Sequence, residues 1–355
     1  MLLCAALRRC GTVRITVGLK IGLDIGTSCV SAAVEGKGVV LKEPAVLALE
    51  RETGKVLCAG KDALEMTGRC PETIELVRPL LSGGISELEN SEKLLRVFLE
   101  KICKNKIFKP TVAATMPAGL TGLEKRNILK CLLNAGVGRA TLIEEPLAAA
   151  LGVGLMTDKP YGTMIVNIGA GTTSVGVVTM GSIAIAKSAK TGGDDMDDAV
   201  RKYLKEQRGI SVGRLTAEEL KKTLGGAILR SETVAAVGKG KDMADGMPMF
   251  FEITAQEMNF ALRECIEKIG DAIKSVLEVT PPELVRDITD DGIFLCGGVS
   301  RMYALDKYIS DVTGIRVKIP GNEENAAALG CIRALTDEDY LKRNAYTFVT
   351  LETLW

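Results

Sequence analysis

Two short segments carry the spacing most suited to chemistry: Asp24-Ile-Gly-Thr-Ser28 and Asn167-Ile-Gly-Ala-Gly-Thr-Thr173. Each runs an oxygen-bearing side chain into glycine and then into hydroxyl residues. Glycine lets the main chain approach a ligand closely, and the N–H groups of such a turn, joined by Ser and Thr hydroxyls, aim donors at a phosphate. Asp24, at a strand end, is placed to hold a Mg²⁺ ion and its water shell beside those phosphates. Either turn alone is equally an ordinary glycine hairpin. A third element, Gly292-Ile-Phe-Leu-Cys-Gly-Gly-Val-Ser-Arg-Met302, ends an apolar strand in Gly297-Gly298. That pair is either a tight strand-to-helix connection or a backbone against which an adenosine or α-phosphate lies. Glu218 and Lys221, three apart on one predicted helix face, reach one ligand or simply face solvent. Glu144 and Glu145 precede Pro146, where acidic residues suit a helix start and proline suits its first turn. The sharper reading makes Glu145 the carboxylate that orients or deprotonates a water attacking a γ-phosphate.

The 355 residues include no histidine, so Ser-His-Asp relays, imidazole acid–base chemistry and histidine zinc sites are all excluded. Lys+Arg and Asp+Glu balance at 45 each, and aromatics make up 4%, which argues against a nucleic-acid partner. The 10 cysteines include no C-x-x-C pair, so neither a zinc ribbon nor a thioredoxin motif is written here, and a reducing cytosol is expected. Met1–Leu7 is apolar but precedes Arg8 and Arg9, the reverse of a secretory signal, so residues 1–19 read as an amphipathic or disordered extension. The long uncharged span 160–186 is about half Gly, Ser, Thr, Asn, Tyr and Pro, which suits two buried strands and not a membrane helix.

The elements that must position these residues repeat. Ile21–Val30 and Ile165–Val175 predict two strand-turn-strand hairpins that each open one half of a duplicated fold. Alternating elements follow: strands at Pro110–Met116, Ala140–Ile143 and Gly292–Leu295, and helices near Gly122–Ala135, from Pro146, and over Asp194–Gln207, Thr216–Leu224, Ala255–Thr280 and Tyr303–Thr313. Such alternation means an α/β fold with helices packed on mixed sheets.

Taken together, IGLDIGT, RPLLSGGI, IFKPTVAATMPAGLTGLEKR, LIEEPLAAALGVGL, IVNIGAGTT, TGGDDMD, VGRLTAEELK, PPELVRDI and GIFLCGGVSRM resemble the MreB/Mbl family of bacterial actin homologues, within the actin, heat-shock chaperone and sugar kinase superfamily. The resemblance covers nearly the whole chain from Lys20 to about Leu335. It implies an actin-like ATPase fold, two RNase H-like lobes around a nucleotide cleft, each with a smaller subdomain. The expected division is 20–145 for the first lobe, with 326–355 packing back on it, and 146–325 for the second, with a small subdomain at about 188–250. It also implies an ATP/ADP- and Mg-binding cytoskeletal protein that forms head-to-tail filaments with itself. Such proteins lie at the cytoplasmic, inner face of the cell membrane, meet membrane proteins of the elongation machinery, organise cell-wall synthesis and maintain rod shape.

By the same resemblance, Asp24, Gly26, Thr27 and Ser28 form the first phosphate loop, and Asn167, Gly169, Gly171, Thr172 and Thr173 the second. Glu145 is the catalytic glutamate, Thr172 assists hydrolysis, and Gly193 of TGGDDMD joins the nucleotide-binding set. Glu218 and Lys221 contact adenosine, as do Gly297 and Gly298. Asp24 meets Mg through water, and Asn167 does so weakly. Ile107 and Phe108 match a loop that dips into membrane; two apolar residues among Lys104, Lys106 and Lys109 suit an anionic bilayer surface or, equally, a strand-edge staple. The second loop departs from the family's Asp-Ile-Gly-Gly-Gly-Thr-Thr-Glu at Asn167, Ala170 and Ser174. The carboxylate charge that Asn167 lacks predicts slow hydrolysis. Two alternatives stand beside the filament: a non-hydrolysing adaptor of the FtsA type, and a small-molecule kinase. The tail Tyr346–Trp355 alternates like a strand, unlike the adaptor's terminal amphipathic helix.

Overall fold

The computed structural model describes residues 18–354 apart from 82, 105–107, 156–157, 231 and 233. Two five-stranded sheets share one topology. In the first, the order is Arg139–Glu144, Thr111–Met116, Lys20–Ile25, Cys29–Val34, Gly38–Pro44; in the second, Val317–Lys318, Ile293–Cys296, Thr163–Ile168, Thr173–Thr179, Ser182–Ala189. In each, a hairpin and a third strand run antiparallel, and the remaining two strands join in parallel. Register completes the match, since Asp24 faces Ser31 across the first hairpin as Asn167 faces Ser174 across the second. The central strands are apolar almost throughout because both of their faces are covered, as every residue of Thr163–Ile168 is buried.

The helices Glu145–Gly152 and Ala326–Thr336 join the halves by exchange. The first follows the last strand of the first sheet yet packs on the second, and the second follows the last strand of the second sheet yet packs on the first. They also pack on each other in a core of their own, which includes Leu147, Ala148, Ala150, Ala326, Ala328 and Cys331. Both read Ala-Ala-Ala-Leu-Gly, at 148–152 and 326–330. Small residues are demanded by the approach: a Cβ on Gly330 would lie 1.6 Å from the Ala148 carbonyl oxygen, and one on Gly152 1.7 Å from that of Ala326.

A three-stranded sheet of Leu47–Glu50, Val56–Ala59 and Ile74–Val77 accompanies the first half, and one of Ile210–Ser211, Ala235–Asp242 and Pro248–Thr254 the second. Helix and strand expectations agree to within a few residues. Pro146 is not the first helical residue, because Glu145 already lies in the helix and Glu144 flanks it. The helix expected over Ala255–Thr280 ends at Leu277, where Thr280 turns its hydroxyl back on the Val276 carbonyl. The strand-like tail is a correction: among its described residues only Val349 bridges, to Ala140, while Tyr346 donates its hydroxyl to Glu144 and Leu354 is buried in the first-half core. Expectations for Ile107 and for residues 1–17 lie outside the described residues, and among those described no helix is long and apolar enough to cross a membrane.

Candidate functional site

Both predicted turns open into one cleft of about 450 Å³ between the two main sheets. Asp24, Gly26, Thr27 and Ser28 line it from the first half, and Asn167, Gly169, Gly171, Thr172, Gly193, Glu218, Lys221, Gly297 and Gly298 from the second, with Glu145 between them. Thr173 stands apart from that lining: it is fully buried, and its hydroxyl donates to the Thr191 carbonyl at 2.7 Å.

Asp24 ends its strand half-buried. Thr115, from the parallel neighbour, donates to its carboxylate at 2.9 Å and accepts from the Ile25 N–H at 3.1 Å. Burial raises the Asp24 pKa above the usual carboxylate range against the opposing pull of that hydrogen bond and of Lys42. Nothing in the sequence marked Thr115, because its partner is 91 residues away.

Glu145 is held from both sides. The Asn167 side-chain N–H donates to one carboxylate oxygen at 2.7 Å, and the Ser174 hydroxyl donates to the other. Burial first, and then the nearby Asp24 charge, raise its pKa to about 7, although both hydrogen bonds favour the charged form. A carboxylate with that pKa is well matched to accept a proton from water at neutral pH. Asn167 therefore does more than surrender a charge: its amide supplies a donor, where a carboxylate would repel Glu145.

The second glycine turn is fixed by its backbone. The Gly169 N–H donates to the Thr172 carbonyl at 2.9 Å, the Gly193 N–H to the Gly169 carbonyl at 3.0 Å, and the Asp194 N–H to that of Ala170 at 2.8 Å. Gly193 and Asp194 thus start their helix, Gly193–Arg208, against the turn. Lys221 donates to the Gly193 carbonyl at 2.7 Å and pairs at 2.7 Å with Asp197, whose pKa burial pushes up to about 6. Glu218 instead pairs with Lys222 at 2.7 Å, so Glu218 and Lys221 line the cleft without bonding each other. Sequence reasoning met Ser174 only as a departure from the family pattern and Asp197 only as part of TGGDDMD, without the partners Glu145 and Lys221 that the structure gives them.

Gly297 and Gly298 divide their labour. Gly297 adopts φ 89° and ψ 167°, a region open essentially to glycine alone, and a Cβ there would stand 2.3 Å from the Ile168 carbonyl oxygen. A Cβ on Gly298 would meet nothing within 4 Å, so its bareness faces the cleft. Near that wall Arg230 stacks 4.6 Å over the Tyr303 ring. Two further contacts span the cleft. Gly83, whose N–H donates to Thr27 at 2.9 Å, stands against Thr172 of the other half, where a Cβ would lie 3.3 Å from that side chain, and Lys42 pairs with Glu324 at 2.6 Å, which Arg301 also holds at 2.9 Å.

Residues 18–343 match the family model described as MreB/Mbl protein. The chain is 36% identical over 326 residues to the cell shape-determining protein Mbl of Bacillus cereus, covering 92% of this chain and 98% of that protein. Crystal structures of MreB5 of Spiroplasma citri, bound to ADP or to AMPPNP, superpose with a TM-score of 0.85 at 32% identity, covering 92% of this chain and 98% of theirs. A MamK double helical filament shares the fold at TM-score 0.78 and 19% identity, over 90% of this chain and 99% of that one.

Proposed function

The chain belongs to the MreB/Mbl family and has its actin-like fold, and from that premise we propose that it is an ATP-binding, filament-forming cytoskeletal protein that sets bacterial cell shape. The observation that carries this reading is the single cleft in which two glycine turns face each other with Glu145 clamped between them. That the Spiroplasma citri relative was crystallised with ADP and with AMPPNP supports a nucleotide there. Its phosphates would take the N–H groups of the turns at 26–28 and 169–172, with the adenosine toward Gly298, Glu218 and Lys221.

Oxygen donors suited to Mg²⁺ are present in Asp24, the Asn167 amide and Glu145. Among the described residues no three acidic or thiol groups form a cage for a metal ion. That suits Mg²⁺, which keeps most of its waters and binds through one or two carboxylates plus substrate phosphates. When bound, the ion would neutralise charge developing on the transferred phosphate. Glu145 keeps lone pairs beyond those taken by Asn167 and Ser174, and these orient and deprotonate the attacking water. Thr172 borders the same space. Hydrolysis is slow, because Asn167 leaves the metal side of the cleft one negative charge short.

The lobes take in 20–145 with 326–355, and 146–325 with its subdomain at about 188–250. Head-to-tail contact between copies propagates without closing, which is how such a molecule becomes a filament; the MamK filament shows that the fold supports one. The filament lies at the inner face of the membrane with the cell-wall elongation machinery as its partner. The test is pelleting with ATP and Mg²⁺ beside steady-state phosphate release. Pelleting with slow release supports the proposal. Failure to pellet, with phosphate transferred to a small hydroxyl compound, would establish the kinase instead.

A further inference from the structure

The small sheet beside the first half carries three sulfur side chains that the nucleotide cleft does not use. Cys58 lies in the strand Val56–Ala59, and Met66 and Cys70 lie in the turns that follow the helix Lys61–Glu65. All three are half-buried. The Cys58 Sγ stands 3.7 Å from the Met66 Sδ, and the Cys70 Sγ stands 3.1 Å from the Met66 carbonyl oxygen. The chain turns back here through the Arg69 N–H, which donates to that same carbonyl at 3.0 Å. Met66 thereby meets Cys58 through its sulfur and Cys70 through its carbonyl, and Cys70 is near enough to Cys58 to act on it electrostatically.

We propose that Cys58, Cys70 and Met66 form a binding site for a thiophilic monovalent ion of the Cu(I) class. Two sulfur ligands about 2.3 Å from a shared ion, at trigonal or tetrahedral angles, stand roughly 3.8–4.0 Å apart. Cys58 and Met66, at 3.7 Å, stand just inside that separation. Thiolate and thioether are soft donors that select Cu(I) over hard cations. A structural zinc ion needs four ligands, whereas no group of three acidic or thiol side chains able to hold a metal occurs among the described residues. Binding replaces two thiol protons by one ion and leaves one net negative charge. Cys131, Cys296 and Cys331, by contrast, are fully buried in the apolar cores.

The test uses the full reduced chain, titrated anaerobically with Cu(I) against bicinchoninate. The parent is expected to retain one ion more per chain than Cys58→Ser or Cys70→Ser, and Met66→Leu to hold that ion about tenfold more weakly. Cys103→Ser should match the parent. In the unsubstituted protein, which no folding defect can confuse, one equivalent of Cu(I) should slow alkylation of Cys58 and Cys70 together, as read by peptide mapping. X-ray absorption should show sulfur neighbours only. Equal ion counts in the parent and in folded Cys58→Ser and Cys70→Ser, or unprotected Cys58 and Cys70 in the alkylation map, would overturn the site.

Discussion

Glu145 carries the proposed chemistry, and its environment sets the sign of a pH effect. Its pKa is raised to about 7, chiefly by burial and then by Asp24, so below neutrality the carboxyl is protonated and cannot take a proton from water. Because kcat/KM reports groups in the free enzyme, its profile for ATP hydrolysis should fall on the acid side with a midpoint near that value. Ser174→Ala removes one of the two donors that favour the charged form and should move the midpoint upward. Asn167→Asp removes the other donor and adds a like charge, so it should move the midpoint further, while phosphate release at pH 8 rises as the metal side regains its negative charge. A midpoint unmoved in both variants would show that neither residue holds the carboxylate during the reaction. Glu145→Gln should lower release by about 10²–10⁴-fold with nucleotide still bound. The sequence exposed Glu145 and Asn167 as candidates but not their bond: an Asn at a strand end reads as a lost charge until its N–H is seen pointing at a carboxylate from another strand.

At the scale of elements, what was legible followed from local pattern, and what was not followed from long-range packing. The two hairpins could be read because buried strands, glycine turns and hydroxyl residues recur in one order at Asp24 and Asn167. The helix exchange was also written in the sequence, as Ala-Ala-Ala-Leu-Gly at 148–152 and 326–330. It went unread because a run of small residues says only that something comes close, not what. The glycines now separate by experiment. Gly330→Ala sets a methyl into the Ala148 carbonyl, 1.6 Å away on unmoved backbone, and should cost about 3 kcal/mol or more, visible as a lower urea midpoint. Gly297→Ala meets both a glycine-only conformation and the Ile168 carbonyl, and should be as damaging. Gly298→Ala meets nothing within 4 Å and should change stability by no more than about 0.5 kcal/mol, yet weaken nucleotide binding by filling the cleft wall. If Gly298→Ala bound nucleotide as the parent does, the adenosine would not lie against that backbone.

At the scale of the whole molecule, the cleft is spanned at its rim by the Lys42–Glu324 pair, whose side chains are 41% and 28% exposed. A pair so open to water contributes only about 0.2–1 kcal/mol, so Lys42→Ala should speed release of a fluorescent nucleotide by no more than about fivefold while leaving the fold intact. The proposed attachment to a bilayer calls on a different part of the surface. Phe108, 53% exposed, sits between the helix Leu88–Cys103 and the strand Thr111–Met116, with exposed Lys104 and Lys109 close in sequence. Each lysine near an anionic surface adds about 1 kcal/mol, and inserting the ring adds about 1.5–3 kcal/mol. Those terms make binding strong only when many copies attach at once, so a filament should hold a membrane that a single subunit leaves. Phe108→Ser should therefore reduce ATP-dependent co-sedimentation with phosphatidylglycerol vesicles by roughly tenfold or more, while pelleting of filaments without vesicles is unchanged. Added salt should weaken vesicle binding by the parent through the lysines. If Phe108→Ser pelleted with vesicles as well as the parent, the apolar tip would be a staple at the strand edge and the membrane contact would lie on another face.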